Sequence, residues 1–285
     1  MTLVGLLLVR NEDWIIGASL RAALQWCDGM AVCFHSCTDR TEELVWEIKR
    51  ETHKDVRASY WDEGRWEEMV LRQMLLTDGR NMGGTHFAMI DADEILTANL
   101  LPEIRSHVEK LAPKEVLELP MLAMRDLDHY QDDDTVWSRA WLSLAFADHP
   151  SLTWKPYKDG YHFHHRCPYG VAGGMAPRLL SGKAQGGVMH LQWSNRRRIT
   201  AKHALYSAWE WIRWPERRGM RGINQTYGEA LQAPKKTSPA PLAWWSGYRK
   251  DLIDLSGEPW HEAELAKLIA ERGREAFSGI DLRGY

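Results

Sequence analysis

"HFAMIDADEIL", residues 86–96, runs a short apolar strand straight into three carboxylates, Asp91, Asp93 and Glu94. Side chains alternate along an extended chain, so Asp91 and Asp93 project to the same side at the strand's end. Bare, the two carboxylates repel each other. A hard divalent cation, Mg2+ or Mn2+, removes that repulsion and prefers oxygen ligands. Such an ion would in turn hold a diphosphate. An ordinary acidic turn after a strand is the alternative, and for an isolated D-x-D it is the better one. What decides between them is the chain on either side.

Upstream, "LVGLLLV" (3–9), "MAVCF" (30–34) and "VRASYW" (56–61) are further apolar runs of strand length. Between them, residues 14–27, the stretch opened by Thr38 or Asp39 as N-cap, and residues 66–79 carry helical spacing. Strand–helix alternation with short links predicts a parallel sheet with helices on both faces and right-handed crossovers. Ligands of such sheets sit beyond the carboxyl ends of the strands. The links at 10–13, 34–39, 62–66 and 91–94 are therefore expected on one rim, with the acids among them.

Composition narrows the function classes. The 285-residue chain has a net charge of −3, so no global field draws it to nucleic acid or to an anionic membrane. Its four cysteines, Cys27, Cys33, Cys37 and Cys167, form no C-x-x-C pair, which points to reduced thiols and a cytoplasmic location. The first apolar run spans about eight residues with no basic segment before it, too short for a membrane span and unlike a signal peptide. Fifteen tryptophans supply apolar faces suited to packing, sugars, bases and cations.

Beyond residue 97 the alternation stops. Residues 102–112 read as a helix, 115–124 as a strand, and 135–147 as a second strand of antiparallel character. Residues 148–190 are rich in Pro, Gly, His and aromatics with little periodicity. A helix over 196–214 stops at Pro215, a linker covers 233–241, and an amphipathic helix with Pro259 in its first turn closes the chain over 258–277. These shifts suggest segments 1–100, 101–195 and 196–285.

Three ordered blocks carry a resemblance: "LLLVRNED" with Asn11 and Glu12, "VCFHSCTDRT" with Thr38, Asp39 and Thr41, and Asp91-Ala92-Asp93-Glu94. With them the chain resembles the family 2 glycosyltransferases of the GT-A fold over about residues 3–97. "VWSRAWLSLAFADHPSLTWKPY" is a weaker echo of a family strand pair. The resemblance implies an α/β fold of GT-A type: a mostly parallel central sheet flanked by helices, a more irregular acceptor lobe and a helical C-terminal region. It implies a metal-dependent hexosyl- or pentosyltransferase using a nucleoside diphosphate sugar, with the hydroxyl of a glycan or of a modified base in DNA as acceptor. It places the donor against Val9, Asn11, Glu12, Phe34, His35, Asp39, Arg72, Asp91 and Ala92, and the Mn2+ or Mg2+ ion on Asp91, Asp93 and His190. Many members carry acids just after the second strand, where the nucleoside binds. Phe34 and His35 stand there instead, as groups to stack on, or hydrogen-bond to, a base or ribose.

The remaining candidates each keep a plainer reading. Arg72 adds positive charge at the rim, or is a surface charge on a helix. His190, in "GGVMHLQW", is a metal ligand or a buried, hydrogen-bonded histidine. "YHFHHRC" sets His162, His164, His165 and Cys167 together, as a small zinc site or an acceptor-side loop. Asp126 and Asp128, in "MRDLDHYQDDD", are the carboxylates best suited to deprotonate an acceptor, or a solvated acidic loop. The basic, aromatic stretch 193–221 suits a nucleic acid, a diphosphate, or a solvated helix face. Two rival functions follow: a nucleotidyltransferase, which should carry a Gly-rich loop that "RNEDWIIG" lacks, and a non-catalytic nucleic-acid-binding protein.

Overall fold

Strand β1 (Leu3–Val9) is buried at every position, and so is β2 (Gly29–His35). In this computed structural model, which describes residues 1–62, 66–154, 166–171, 179–180 and 182–285, their side chains divide cleanly between two faces. Leu3, Leu7, Val9, Met30, Val32 and Phe34 enter one core cluster; Val4, Leu6, Leu8, Ala31 and Cys33 enter the other. Helices α1 (Asp13–Ala23) and α2 (Thr41–Thr52) cover the first face through Ile16, Leu20, Val45 and Ile48. Helix α3 (Glu68–Asn81) covers the second through Met69, Leu71, Leu75 and Leu76. A strand buried on both faces needs the continuous apolar runs seen in the sequence. β3 (Asp55–Trp61) lies at the edge, where Asp55, Arg57 and Tyr60 are exposed.

β4 (His86–Asp91) pairs in parallel with β1, and the strand order begins β3-β2-β1-β4. The expected parallel sheet is therefore present, and the sheet then turns antiparallel. After β5 (Glu94–Leu96) and α4 (Leu101–Glu109), β6 (Val116–Ala123) and β8 (Trp141–Ala147) extend it as β4-β8-β6. β9 (Val188–His190) and β5 complete the eight strands, pairing antiparallel with Glu94 opposite His190. The acidic motif is thus not a plain turn: its last residue opens a three-residue strand.

Gly187 seats that strand. Its φ is +154°, and a Cβ there would lie 2.2 Å from the Pro120 carbonyl oxygen. Its N–H donates to Thr97 Oγ1 at 3.1 Å, and its carbonyl accepts from Thr97 N at 2.9 Å. Only a residue without a side chain permits that approach.

By its contacts the chain forms two units. The first holds residues 1–122, 139–190 and 240–254, and with them the eight-stranded sheet. The second holds 123–138, 191–239 and 255–285. It contains α5 (Arg196–Arg213), α6 (Pro215–Glu229), α7 (Trp260–Arg272) and a two-stranded ribbon of β7 (His129–Gln131) with β10 (Thr237–Pro239). Pro215 does end the helix begun at Arg196, and it also opens the next one as its first residue. The linker read over 233–241 contributes β10.

In the second unit, burial pushes the His203 imidazole down to about 4, while Nδ1 lies 3.0 Å from the Tyr227 carbonyl. The unfolded chain binds this proton near pH 6.5 and the folded chain only near 4, so the neutral form stabilises the fold above pH 6.5. That contribution falls away as pH drops from 6.5 through 4. Folding stability is expected to lose roughly 3 kcal/mol across this window. His203→Gln should flatten this part of a urea-unfolding series between pH 7 and 4; an unchanged slope in the variant would remove His203 as its source.

Candidate active site

The first two motif blocks interlock. Asn11 takes a left-handed φ of 53°, a conformation asparagine tolerates better than most residues. Its Oδ1 accepts from Thr38 N at 2.7 Å and its Nδ2 donates to Thr38 Oγ1 at 3.1 Å. Glu12 N donates to Thr41 Oγ1 at 2.7 Å, and the Glu12 carboxylate accepts from the Trp14 indole. Asp39 takes hydrogen bonds from Thr41 N at 2.9 Å and Asp13 N at 3.1 Å. The links after β1 and β2 are thus one bonded rim, with Asp39 bracing the starts of α1 and α2.

Next to that rim lies the acid cluster. Asp91 is in register with Leu8 of β1, so it stands beside the link carrying Asn11 and Glu12. Arg72 reaches it from α3: Nε donates to Glu68 at 2.7 Å and Nη2 to Asp91 Oδ1 at 3.2 Å. At 4% exposure Arg72 is no surface charge. Burial alone would depress its guanidinium, but the pull of Glu68 and Asp91 prevails and its pKa is raised. Arg166 closes the other side, donating to Asp91 Oδ2 at 3.2 Å and to both oxygens of Glu94 at 2.8 and 2.6 Å. Its pKa is raised too: burial opposes the charge, but Glu94 and Asp91 outweigh it. The result is an alternating ladder, Glu68–Arg72–Asp91–Arg166–Glu94.

His190 arrives from β9. Its Nε2 is 3.4 Å from Asp93 Oδ1, and its Nδ1 is 3.9 Å from Glu94 Oε1. The β5–β9 register therefore brings the predicted histidine to the predicted acids. Among the described residues no three His, Cys, Asp or Glu side chains gather into a complete metal cage. The donor chemistry nevertheless suits a divalent cation. Among the described residues, four carboxylates (Glu68, Asp91, Asp93, Glu94) meet two guanidiniums (Arg72, Arg166) in this cluster. Mg2+-type ions are held by one or two carboxylates with phosphate oxygens completing the shell, rather than by all-protein cages.

Other expected contacts are placed differently. Phe34 and His35 are 1% and 0% exposed. Phe34 packs against Tyr60 and Trp46 at ring distances of 5.5 and 6.3 Å, and His35 meets Trp66 edge-on at 5.1 Å. Neither offers a ring face to a base, because the strand they end is buried on both faces. The exposed aromatic at this end of the sheet is Tyr60, opposite Phe34 in the β2–β3 register, with its hydroxyl on Glu42 at 2.6 Å. Val9 and Ala92 are buried and shape the rim from below.

Asp126 and Asp128 lie in the second unit, both exposed, on the tight link into β7. Asp126 Oδ1 accepts from the backbone of Asp128 and His129 at 2.7 Å each, with His129 Nδ1 at 3.1 Å. Partial burial works the other way, but these bonds hold its carboxyl below the usual range. The basic stretch is largely spent within its own unit. Arg196 bonds the Leu231 carbonyl, Arg197 pairs with Glu262 and Glu258, and Arg198 is buried. Arg218 pairs with Glu210, and Trp193 and Trp209 are buried. Arg217 and Arg221 of the same stretch are exposed. His162, His164 and His165 lie outside the described residues. Burial pushes the Cys33 and Cys37 thiols up to about 11, which keeps them protonated and poor nucleophiles.

Glu68 and Arg166 are members of the ladder that the sequence reading passed over. Glu68 had a legible signal, an acid four residues before Arg72 on one helix face. Arg166 had none: it sits between histidines and a cysteine that drew attention to metal binding.

No family model matches the chain, and no curated protein matches it. Among solved structures it is similar to TarS of S. aureus, with 11% identity and a TM-score of 0.44 over 98% of this chain and 50% of that one. TarS residues 1–349 in complex with UDP-GlcNAc gives 12% identity and a TM-score of 0.38 over 98% and 84%. The mannosyltransferase PcManGT from Pyrobaculum calidifontis, in complex with GDP-Man and Mn2+, gives 12% identity and a TM-score of 0.43 over 97% and 77%. The chain spans about half the length of the TarS structures first matched. At these scores the likenesses carry no weight for activity, which rests on the geometry above. No helix among the described residues is long and apolar enough to cross a membrane.

Proposed function

We propose that this chain transfers a glycosyl group from a nucleoside diphosphate sugar to an acceptor hydroxyl. One observation carries the reading: a cluster of carboxylates with His190 at the end of β4, on the boundary where the parallel strand order reverses. From β1 the chain builds outward through β2 and β3 on one side and places β4 on the other. Crevices at such a reversal, beyond the carboxyl ends, are where α/β sheets bind nucleotides. A nucleoside over the Asn11–Thr38 rim would set its diphosphate toward Asp91, Asp93 and His190.

In this reading Asp93 and His190 hold a Mn2+ or Mg2+ ion, with Asp91 beside them. When bound, such an ion supplies Lewis-acid stabilisation of the departing diphosphate. Arg72 uses two of its five N–H groups on Glu68 and Asp91, and offers the others to phosphate oxygens. The nucleic-acid-binding alternative is weakened by the internal pairing of Arg196, Arg197 and Arg218.

Thermal unfolding against a panel of nucleoside diphosphate sugars, with and without Mn2+, tests the proposal. A bound donor at one hundred times its dissociation constant adds about 2.7 kcal/mol of stability. The expected result is a shift with one donor class that is larger with Mn2+. A panel that shifts nothing rejects the proposal.

A further inference from the structure

Arg166 uses its whole guanidinium on the protein. Nε donates to the Ser143 carbonyl at 2.7 Å. Nη1 donates to Asp91 Oδ2 at 3.2 Å and Glu94 Oε1 at 2.8 Å, and Nη2 to the Met89 carbonyl at 2.8 Å and Glu94 Oε2 at 2.6 Å. A guanidinium has five N–H donors, and all five are placed. None remains for a substrate. Its side chain is 9% exposed and that of Glu94 is 3% exposed.

Resting on the donor-site reading above, we propose that Arg166 is a positioning residue for the acid motif. It never touches the donor; it aims the carboxylates that do. Its fork locks Glu94 in a bidentate pair, the geometry in which arginine surpasses lysine. Glu94 in turn accepts from the Asp91 backbone N–H at 3.2 Å, closing the Asp91–Glu94 loop from within. With both ends fixed, Asp93 is presented from the tip of that loop beside His190. The bonds to Met89 and Ser143 tie the same guanidinium to β4 and β8, so the loop is referenced to the sheet rather than to solvent. Arg72 contrasts with it: that guanidinium holds the opposite oxygen of Asp91 and keeps donors in reserve.

Arg166→Lys keeps the charge and loses the fork. The test measures binding of UDP, GDP, CDP, ADP and dTDP to the full chain in the presence of Mn2+, by calorimetry, together with the Mn2+ concentration giving half-maximal binding. Residues that orient metal ligands typically account for 10–100-fold in metal affinity, and a loss of about that size is expected in both readings. Arg80→Lys is the matched control. Arg80 also forks onto a carboxylate, Asp148, at 2.9 and 2.8 Å and bonds the His149 and Leu152 carbonyls, outside the acid cluster. It should lower the melting temperature and leave Mn2+ and diphosphate affinity unchanged. If Arg166→Lys behaves like Arg80→Lys, less stable with wild-type affinity, Arg166 is merely structural and the inference is overturned. Should Arg166→Lys fail to fold, Glu94→Gln keeps the side-chain shape and weakens one partner; it must lower Mn2+ affinity, and wild-type affinity there overturns the inference equally. A wild-type chain that binds none of the five diphosphates overturns the donor-site reading and this inference with it. Binding by the wild type that survives in Arg166→Lys overturns the inference alone.

Discussion

Asp93→Asn is expected to lower kcat/KM for donor turnover on the order of a thousandfold, about 4 kcal/mol of transition-state stabilisation. Asparagine keeps the size and the acceptor oxygen of the side chain but removes the charge. Asp93 is nearly buried, 3.4 Å from His190, at the tip of a loop whose other acids are already paired with arginine. Its neighbour His190 supplies a second ligand type beside it, so the pair can hold a divalent ion together. Asp91→Asn should cost less in binding of the ion and more in stability, because Arg72 and Arg166 would each lose part of their counter-charge. The measurement is steady-state release of nucleoside diphosphate across a Mn2+ titration. Full activity in Asp93→Asn at saturating Mn2+ would exclude the residue from the chemistry.

Arg72→Met should be the most destabilising change near the site, by about 3–5 kcal/mol. Glu68 is 7% exposed and would be left charged and buried without its 2.7 Å partner. The cost comes less from the bond removed than from the acid abandoned. Arg72→Met/Glu68→Leu should accordingly recover much of the loss, since two apolar side chains then replace a buried pair of opposite charges. A urea-unfolding double-mutant cycle reads the coupling. Single and double variants of equal stability would mean that Glu68 and Arg72 are not energetically linked.

The parallel half of the sheet was legible because its strands are buried on both faces. β1, β2 and β4 therefore appear as unbroken apolar runs, and helices between them show their own spacing. The acids were legible for a related reason: charge at the end of such a run has nowhere to go but the rim. β5 was not, since three residues carry no period, and its pairing with β9 depends on a contact between positions 94 and 190. The burial of Phe34 and His35, read as groups to stack on or hydrogen-bond to a base or ribose, was not legible, because residue type alone does not tell which way a side chain faces. Arg166 was invisible for the same physical reason that makes it effective. Its partners are Met89, Asp91, Glu94 and Ser143, all distant in sequence, and no local pattern marks an arginine for burial.

The β5–β9 pairing also dictates when during synthesis the site can exist. All three motif blocks have been synthesised by residue 94, yet the acids then lack Arg166 and His190, and β4 lacks β8 along its open edge. A chain ending near residue 100 would carry all three motif blocks, with Arg72 beside Asp91 but without the Arg166 and His190 partners of Glu94 and Asp93. The machinery becomes whole only after nearly another hundred residues are made, so its completion is a long-range, late event of folding rather than a property of the amino-terminal half.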